Sequence, residues 1–216
     1  MTARVVDRLP EGDDWIYEVK FDGYRALLLK NGEDVRVRSR NNKDLTATYP
    51  SVAAAGRRLQ AAQAVVDGEI VAVDSQGRPS FQALQHRSSH PGHSIVFYAF
   101  DLLHHDGRDL TAASLKERRK RLPGVLNGSG VLLSMDLPGT AQQVIAAVES
   151  LGLEGVVAKR ATSRYTPGER NDAWVKLKLD RQQEFVIGGY RPGPGSVDAL
   201  IVGYYDRKDL RFAGKV

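Results

Sequence analysis

An α+β fold built on antiparallel sheets is what this chain's sequence predicts, and three observations carry that reading. Strand-like and helical segments are mixed without a regular strand–helix–strand repeat, which argues against a doubly wound parallel sheet. Two β-rich runs flank Asn31-Gly32, a pair that tolerates the positive φ of a tight hairpin. The helices are few and separate, and two of them begin at good capping residues, Ser80 and Thr140.

Taken in order, Trp15, Tyr17 and Val19 alternate with Ile16, Glu18 and Lys20, a period-2 pattern that reads as a strand running into an Asp22-Gly23 turn. Arg25 to Lys30 and Val35 to Arg38 form the predicted hairpin, and Pro50 to Ala62 carries an alanine-rich helical pattern. Ala64 to Val73 is β-rich, Ser80 caps a short helix through Gln85, and Ile95 to Leu103 reads as a buried strand. Ser114 to Leu122 is a very basic helix, Val131 to Ser134 a strand, and Thr140 opens a helix reaching about Leu151. Two further strands are expected at Gly155 to Lys159 and Trp174 to Leu179. The composition changes at the polar stretch Asp180 to Gln183, after which Phe185 to Tyr190, Leu200 to Tyr205 and Leu210 to Phe212 are strand-like. Residues 1–180 therefore read as one domain, and residues 181–216 as the opening strands of an incomplete all-β domain.

The 216 residues are 42% hydrophobic, enough for a substantial core. Thirty-one Lys+Arg against 26 Asp+Glu give a formal charge of +5, which favours polyanionic partners without naming one. The absence of cysteine excludes disulfides and thiolate metal sites. No apolar run is long enough to span a bilayer, and Arg4, Asp7 and Arg8 interrupt any signal-like start, so the cytoplasm is the expected location.

Lys20 projects from the end of its strand, where it can act as a nucleophile only if burial or neighbouring cations hold it neutral. Lys176 and Lys178 are two apart on a predicted strand, so they share a face. Glu69 and Glu154 are hard oxygen donors suited to a magnesium ion that keeps several waters.

The motifs occur in a fixed order: Lys20-Phe21-Asp22-Gly23-Tyr24-Arg25, Ser39-Arg40-Asn41, Asp67-Gly68-Glu69, Phe97-Tyr98-Ala99-Phe100-Asp101, Glu154 to Lys159, and Trp174 to Lys178. This series resembles the covalent nucleotidyltransferases, most closely the ATP-dependent DNA ligases, and among them the ligase domains of bacterial non-homologous end-joining ligases. The resemblance covers roughly residues 10 to 216. It implies an adenylation domain followed by the start of an oligonucleotide-binding (OB-fold) barrel. It also implies that Lys20 attacks the α-phosphate of ATP, holds AMP as a phosphoramidate, and passes it to a DNA 5′-phosphate for sealing by a 3′-hydroxyl. By the same resemblance, Lys176 and Lys178 serve the α-phosphate, their charges help to keep Lys20 neutral, and Phe100 stacks on adenine. The backbone of Glu18 helps to recognise the base, and Arg25 and Arg40 contact ribose, phosphate or the DNA end. Glu69 contacts ribose and, with Glu154, supports magnesium or manganese. The implied partners are nicked or broken duplex DNA, with end-joining proteins or fused repair domains, and no membrane. A further basic motif that family members carry late in the barrel domain lies beyond Val216.

Three other signals compete. His86, His90 and His93 have a spacing that suggests zinc, but their surroundings have loop composition and lack carboxylates. Gly188 to Gly195 is glycine-rich without a following Lys-Ser/Thr, so it reads as a turn or linker, not a P-loop. Five cations between Lys116 and Arg121 suit either phosphate contacts along a duplex or a solvated helix face. An RNA ligase, a GTP-using capping enzyme and a non-catalytic binding module remain alternatives to the DNA ligase reading.

Overall fold

The structure is a computed structural model that describes residues 1–86, 92–179 and 185–216. The chain divides into two compact units, Met1–Leu179 and Asp180–Val216. His90 and the polar stretch at residues 180–183 lie outside the described residues.

The first unit holds two sheets. Strands β1 (Thr2–Val5), β2 (Trp15–Val19), β9 (Gly155–Arg160) and β10 (Arg170–Lys178) form a four-stranded sheet in the order β1-β10-β9-β2. The second sheet follows the path β4-β3-β5-β6-β7, from β3 (Tyr24–Asn31), β4 (Asp34–Ser39), β5 (Gln63–Val73), β6 (Ser94–His105) and β7 (Arg108–Asp109), with β8 (Leu132–Leu133) pairing against β6. Most pairings are antiparallel, as the mixed pattern predicts. The parallel contacts of β1 with β10 and of β8 with β6 are not visible in the sequence, because β1 and β8 are too short to show a period.

Among the described residues, four helices complete the unit: α1 (Pro50–Arg57), α2 (Phe81–Gln85), α3 (Leu115–Leu126) and α4 (Ala141–Ser150). Proline at the start of α1 loses no hydrogen bond there. The helix stops five residues short of the predicted end at Ala62. Lys30 Nζ donates to the carbonyls of Arg57 and Leu59 at 2.7 and 2.8 Å, occupying acceptors that a longer helix would have used itself. Ser80 caps α2 through the Ala83 amide, and Thr140 and Gln143 form a capping box on α4. The basic helix α3 has its own capping box, Ser114 with Glu117, and continues past Pro123 to Leu126.

One core packs α1, α2 and the C-terminal half of α3 on the six-stranded sheet, around Leu28, Ile70, Phe97, Leu102 and Leu122. Truncating Phe97 to alanine there would cost about 3–5 kcal/mol. A second core packs α4 against the other sheet around Tyr17, Val144, Val156 and Val175. A third, with Leu103, Leu115, Tyr165 and Trp174, lies beneath the cavity described below.

Two turns differ from the sequence expectation. The first hairpin pairs Asn31 with Asp34, so its loop is Gly32-Glu33 and the positive φ falls on Gly32. The turn expected at Asp22-Gly23 is a crossing between sheets: it carries the chain from β2 in one sheet to β3 in the other. Gly23 is required there because a Cβ would lie 2.2 Å from the Ile70 carbonyl oxygen.

The second unit is a three-stranded antiparallel sheet of β11 (Val186–Gly193), β12 (Ser196–Asp206) and β13 (Asp209–Lys215). The glycine-rich run read as a turn or linker is mostly strand. Gly188 to Gly193 belong to β11, and the turn is confined to Pro194-Gly195.

Candidate active site

A cavity of about 710 Å³ opens in the first unit, within the range that accommodates a nucleotide-sized ligand. Lys20, Arg25, Arg40, Glu69, Phe100 and Lys176 line it, along with the buried residue Glu18. The sequence thus placed seven of its nine candidate residues around one space.

Lys20 follows directly on β2, and its backbone amide donates to the Gly155 carbonyl at 2.9 Å. That bond brings the start of β9 against the end of β2. Gly155 is dictated by crowding, since a Cβ would sit 2.2 Å from the Leu177 carbonyl oxygen. The residue before it, Glu154, is thereby carried to Lys20, and their side chains form an ion pair. The expectation for Lys20 was burial or neighbouring cations; the structure adds an ion-pair partner that was not foreseen, the Glu154 carboxylate. The other carboxylate oxygen of Glu154 is buried without a hydrogen-bond partner among the described residues, an acceptor left open beside the lysine.

The neighbouring carboxylates are tuned by burial. Desolvation pushes the Glu69 carboxyl up to about 8, against the opposing pull of Arg25. Burial, reinforced by the charge of Glu154, also raises Asp22. Burial lowers the Lys176 ammonium, and the charges of Lys20 and Lys178 lower it further. Lys178 shares the Lys176 face of β10 but lies outside the cavity lining, as does Glu154.

Arg25 is held rigidly. Its Nε and Nη2 donate to the two carboxylate oxygens of Asp67 at 3.0 and 2.6 Å, a bidentate pair. The Tyr165 hydroxyl donates to the same carboxylate at 2.8 Å. Burial opposes the charge on Arg25, but Asp67 outweighs it and the guanidinium pKa rises. Phe100 stands edge-on to Trp174, with the Arg25 guanidinium 5.4 Å from its centroid.

Behind Phe100 lies a buried polar network. Glu18 Oε1 accepts from Arg119 at 2.9 Å and pairs with Lys159 Nζ at 2.7 Å, while Oε2 accepts from the Ser134 hydroxyl at 2.6 Å. Arg119 also bonds the carbonyls of Phe100 and Ser134 and pairs with Asp136. Arg118, 0% exposed, forms a bidentate pair with Asp101. Two of the five cations on α3 are therefore buried structural residues, and neither the duplex nor the solvated reading of that run holds for them. Lys116, Lys120 and Arg121 do face solvent.

Sequence reasoning missed several lining residues. Lys43 and Arg170 also border the cavity, with no signal beyond their charge. Lys159 and Trp174 stood inside motifs without an assigned role. Among the described residues, no three His, Asp or Glu side chains gather into a metal cage.

The two sheets, the lysine at a strand end and the cation-lined cavity define a nucleotidyltransferase domain. Residues 2–178 match the family model of the ATP-dependent DNA ligase domain, and the chain belongs to that family. It is 41% identical over 210 residues to the multifunctional non-homologous end joining DNA repair protein LigD of Mycobacterium tuberculosis, a match covering 95% of this chain and 27% of that protein. The corresponding figures for Pseudomonas aeruginosa LigD are 40% over 224 residues, 99% and 26%. The chain thus spans about a quarter of the length of these relatives. A solved mycobacterial DNA ligase D, complexed with ATP and MES, superposes with a TM-score of 0.74 at 39% identity, covering 99% of this chain and 71% of the other. No helix among the described residues is long and apolar enough to cross a membrane.

Proposed function

We propose that this chain is the catalytic portion of an ATP-dependent DNA ligase acting in DNA break repair by end joining. The observation that carries the reading is Lys20, held at a strand end in a cation-lined cavity of nucleotide size and ion-paired with Glu154. Family membership and the ATP-complexed structural relative support ATP as the nucleotide.

Lys20 is the nucleophile. Its ammonium first passes a proton to the paired Glu154 carboxylate; the neutral amine then attacks the α-phosphate, and an N–P bond forms as pyrophosphate leaves and the displaced amine proton goes to solvent. Lys176 neutralises charge on the phosphate oxygens during that step, with Lys178 adding to the field from further along β10. Phe100 is the shelf for adenine, the Glu18 backbone meets the base, and Arg25 and Arg40 take the ribose, phosphate or DNA end. AMP then passes from Lys20 to a DNA 5′-phosphate, and a 3′-hydroxyl displaces it.

Glu69 and Glu154 suit a hard divalent cation: one offers an unpaired buried oxygen, and the other a carboxyl that ionises more readily beside positive charge. Magnesium or manganese held there would supply charge neutralisation at the phosphates. In this reading residues 1–180 are the adenylation domain and residues 181–216 the opening of an OB-fold barrel, with β11 to β13 as its first strands. The protein works in the cytosol on nicked or broken duplex DNA, alongside fused repair domains or end-joining proteins.

The test is sealing of a 5′-phosphorylated nick by the full-length protein, with ATP or GTP and with a DNA or an RNA nick. ATP-dependent sealing of DNA that disappears in Lys20→Ala supports the reading. Equal use of GTP, a preference for RNA, or sealing that survives the substitution contradicts it.

A further inference from the structure

Lys159 is a buried cation that the proposed chemistry does not use. It is 2% exposed, yet it lines the cavity, because β9 alternates Val157 and Lys159 toward this space and Val156 and Ala158 toward the second core. Its ammonium lies 4.0 Å from the centroid of Phe100 and 4.4 Å from that of Trp174. A lysine has three N–H donors, and among the described residues its one ion-pair partner is Glu18. The two aromatic rings flank this ammonium, and their quadrupoles take the place of further hydrogen-bond acceptors. Burial also lowers the pKa of this ammonium, so the site spends stability to keep a charge there. An apolar side chain of similar length would fill the same space without that penalty.

We infer that Lys159 is a positioning residue, which fixes the ring of Phe100 from the buried side of the cavity and, through Glu18, ties that ring to the strand ending at Lys20. The inference rests on Phe100 being the shelf for the base. The cation restrains the ring before a nucleotide arrives, so less ordering remains to be done on binding. Glu18 lies two residues before Lys20 on β2, and its two oxygens are anchored by Lys159, Arg119 and Ser134. Base shelf and nucleophile strand are thus held by one network.

The test is a double-mutant cycle on lysine adenylylation by the full-length protein. Phe100→Leu and Lys159→Met should each raise the KM for ATP about tenfold, with kcat changing less, and the double variant should be no worse than either alone. Inhibition by inorganic tripolyphosphate, which offers no ring to stack, should be the same in Lys159→Met and the parent. Additive effects, or a Lys159→Met variant with the parent's KM, would overturn the inference. Equal weakening of tripolyphosphate and ATP would reduce Lys159 to a general structural role. An unchanged KM in Phe100→Leu would instead remove the shelf itself and the inference with it. If the neutral variant does not fold, Lys159→Arg keeps a cation over the ring; a KM near the parent's supports the inference, and a tenfold rise in that folded variant contradicts it.

Discussion

Lys20 and Glu154 are ion-paired across the junction of β2 and β9, where the Lys20 amide also bonds the Gly155 carbonyl at 2.9 Å. Backbone and side chain therefore register Lys20 against two consecutive residues, Gly155 and Glu154. An ammonium has no lone pair to attack with, and Glu154 is the carboxylate placed to take its proton. Glu154→Gln keeps the shape and removes the charge. It should slow lysine adenylylation by about 10²-fold or more, the scale on which positioned acid–base groups act, while the melting temperature moves little. Single-turnover labelling alongside thermal melting checks both.

Glu69 makes stability depend on pH. Its carboxyl is raised from 4.5 to about 8 by burial, so the unfolded chain gives up this proton at a lower pH than the folded one. Stability from this group is fully present below about 4.5 and is lost as pH rises toward 8. In metal-free buffer, Glu69→Gln should flatten the fall in melting temperature across that window. A parent and variant with parallel profiles would contradict the assignment.

The α3 cations should separate into two classes. Asp101→Ala strands the fully buried Arg118 without its partner and should destabilise the protein by about 3–5 kcal/mol. Lys116→Glu, Lys120→Glu and Arg121→Glu lie on the exposed face, and each should stay within about 0.5 kcal/mol of the parent. Denaturant titrations distinguish these outcomes. If the exposed three contact a duplex, the triple variant will also show a shallower dependence of DNA affinity on salt.

Gly23 and Gly124 should respond oppositely to alanine. At Gly23 the new Cβ would lie 2.2 Å from a backbone oxygen of β5, so Gly23→Ala should abolish labelling of Lys20 and lower the melting temperature. Gly124 sits inside α3 with open space around it, and Gly124→Ala should stabilise by about 0.5–1 kcal/mol.

Much of this was legible before the structure, and the reasons are local. Ser80, Ser114 and Thr140 start helices because their side chains satisfy amides three residues on, a relationship written in the sequence. The strand before Lys20 was visible because Tyr17 faces a core while its neighbours alternate. What stayed hidden depends on contacts between distant residues. Arg118 and Arg119 look like their solvated neighbours until Asp101 and Glu18 arrive from other elements. Lys159 looked like the end of a motif, and only the fold brings Phe100 and Trp174 around it. Gly23 suggested a turn, whereas its real constraint is the Ile70 carbonyl 47 residues away in sequence.

The most direct measurement is covalent labelling. The full-length protein would be incubated with magnesium and α-labelled ATP, denatured, and examined for label that survives, after any AMP already carried on the lysine has been discharged with pyrophosphate. The account predicts stable label from ATP, little from GTP, and none in Lys20→Ala. Label that persists in Lys20→Ala, or no label in the parent protein, would contradict it.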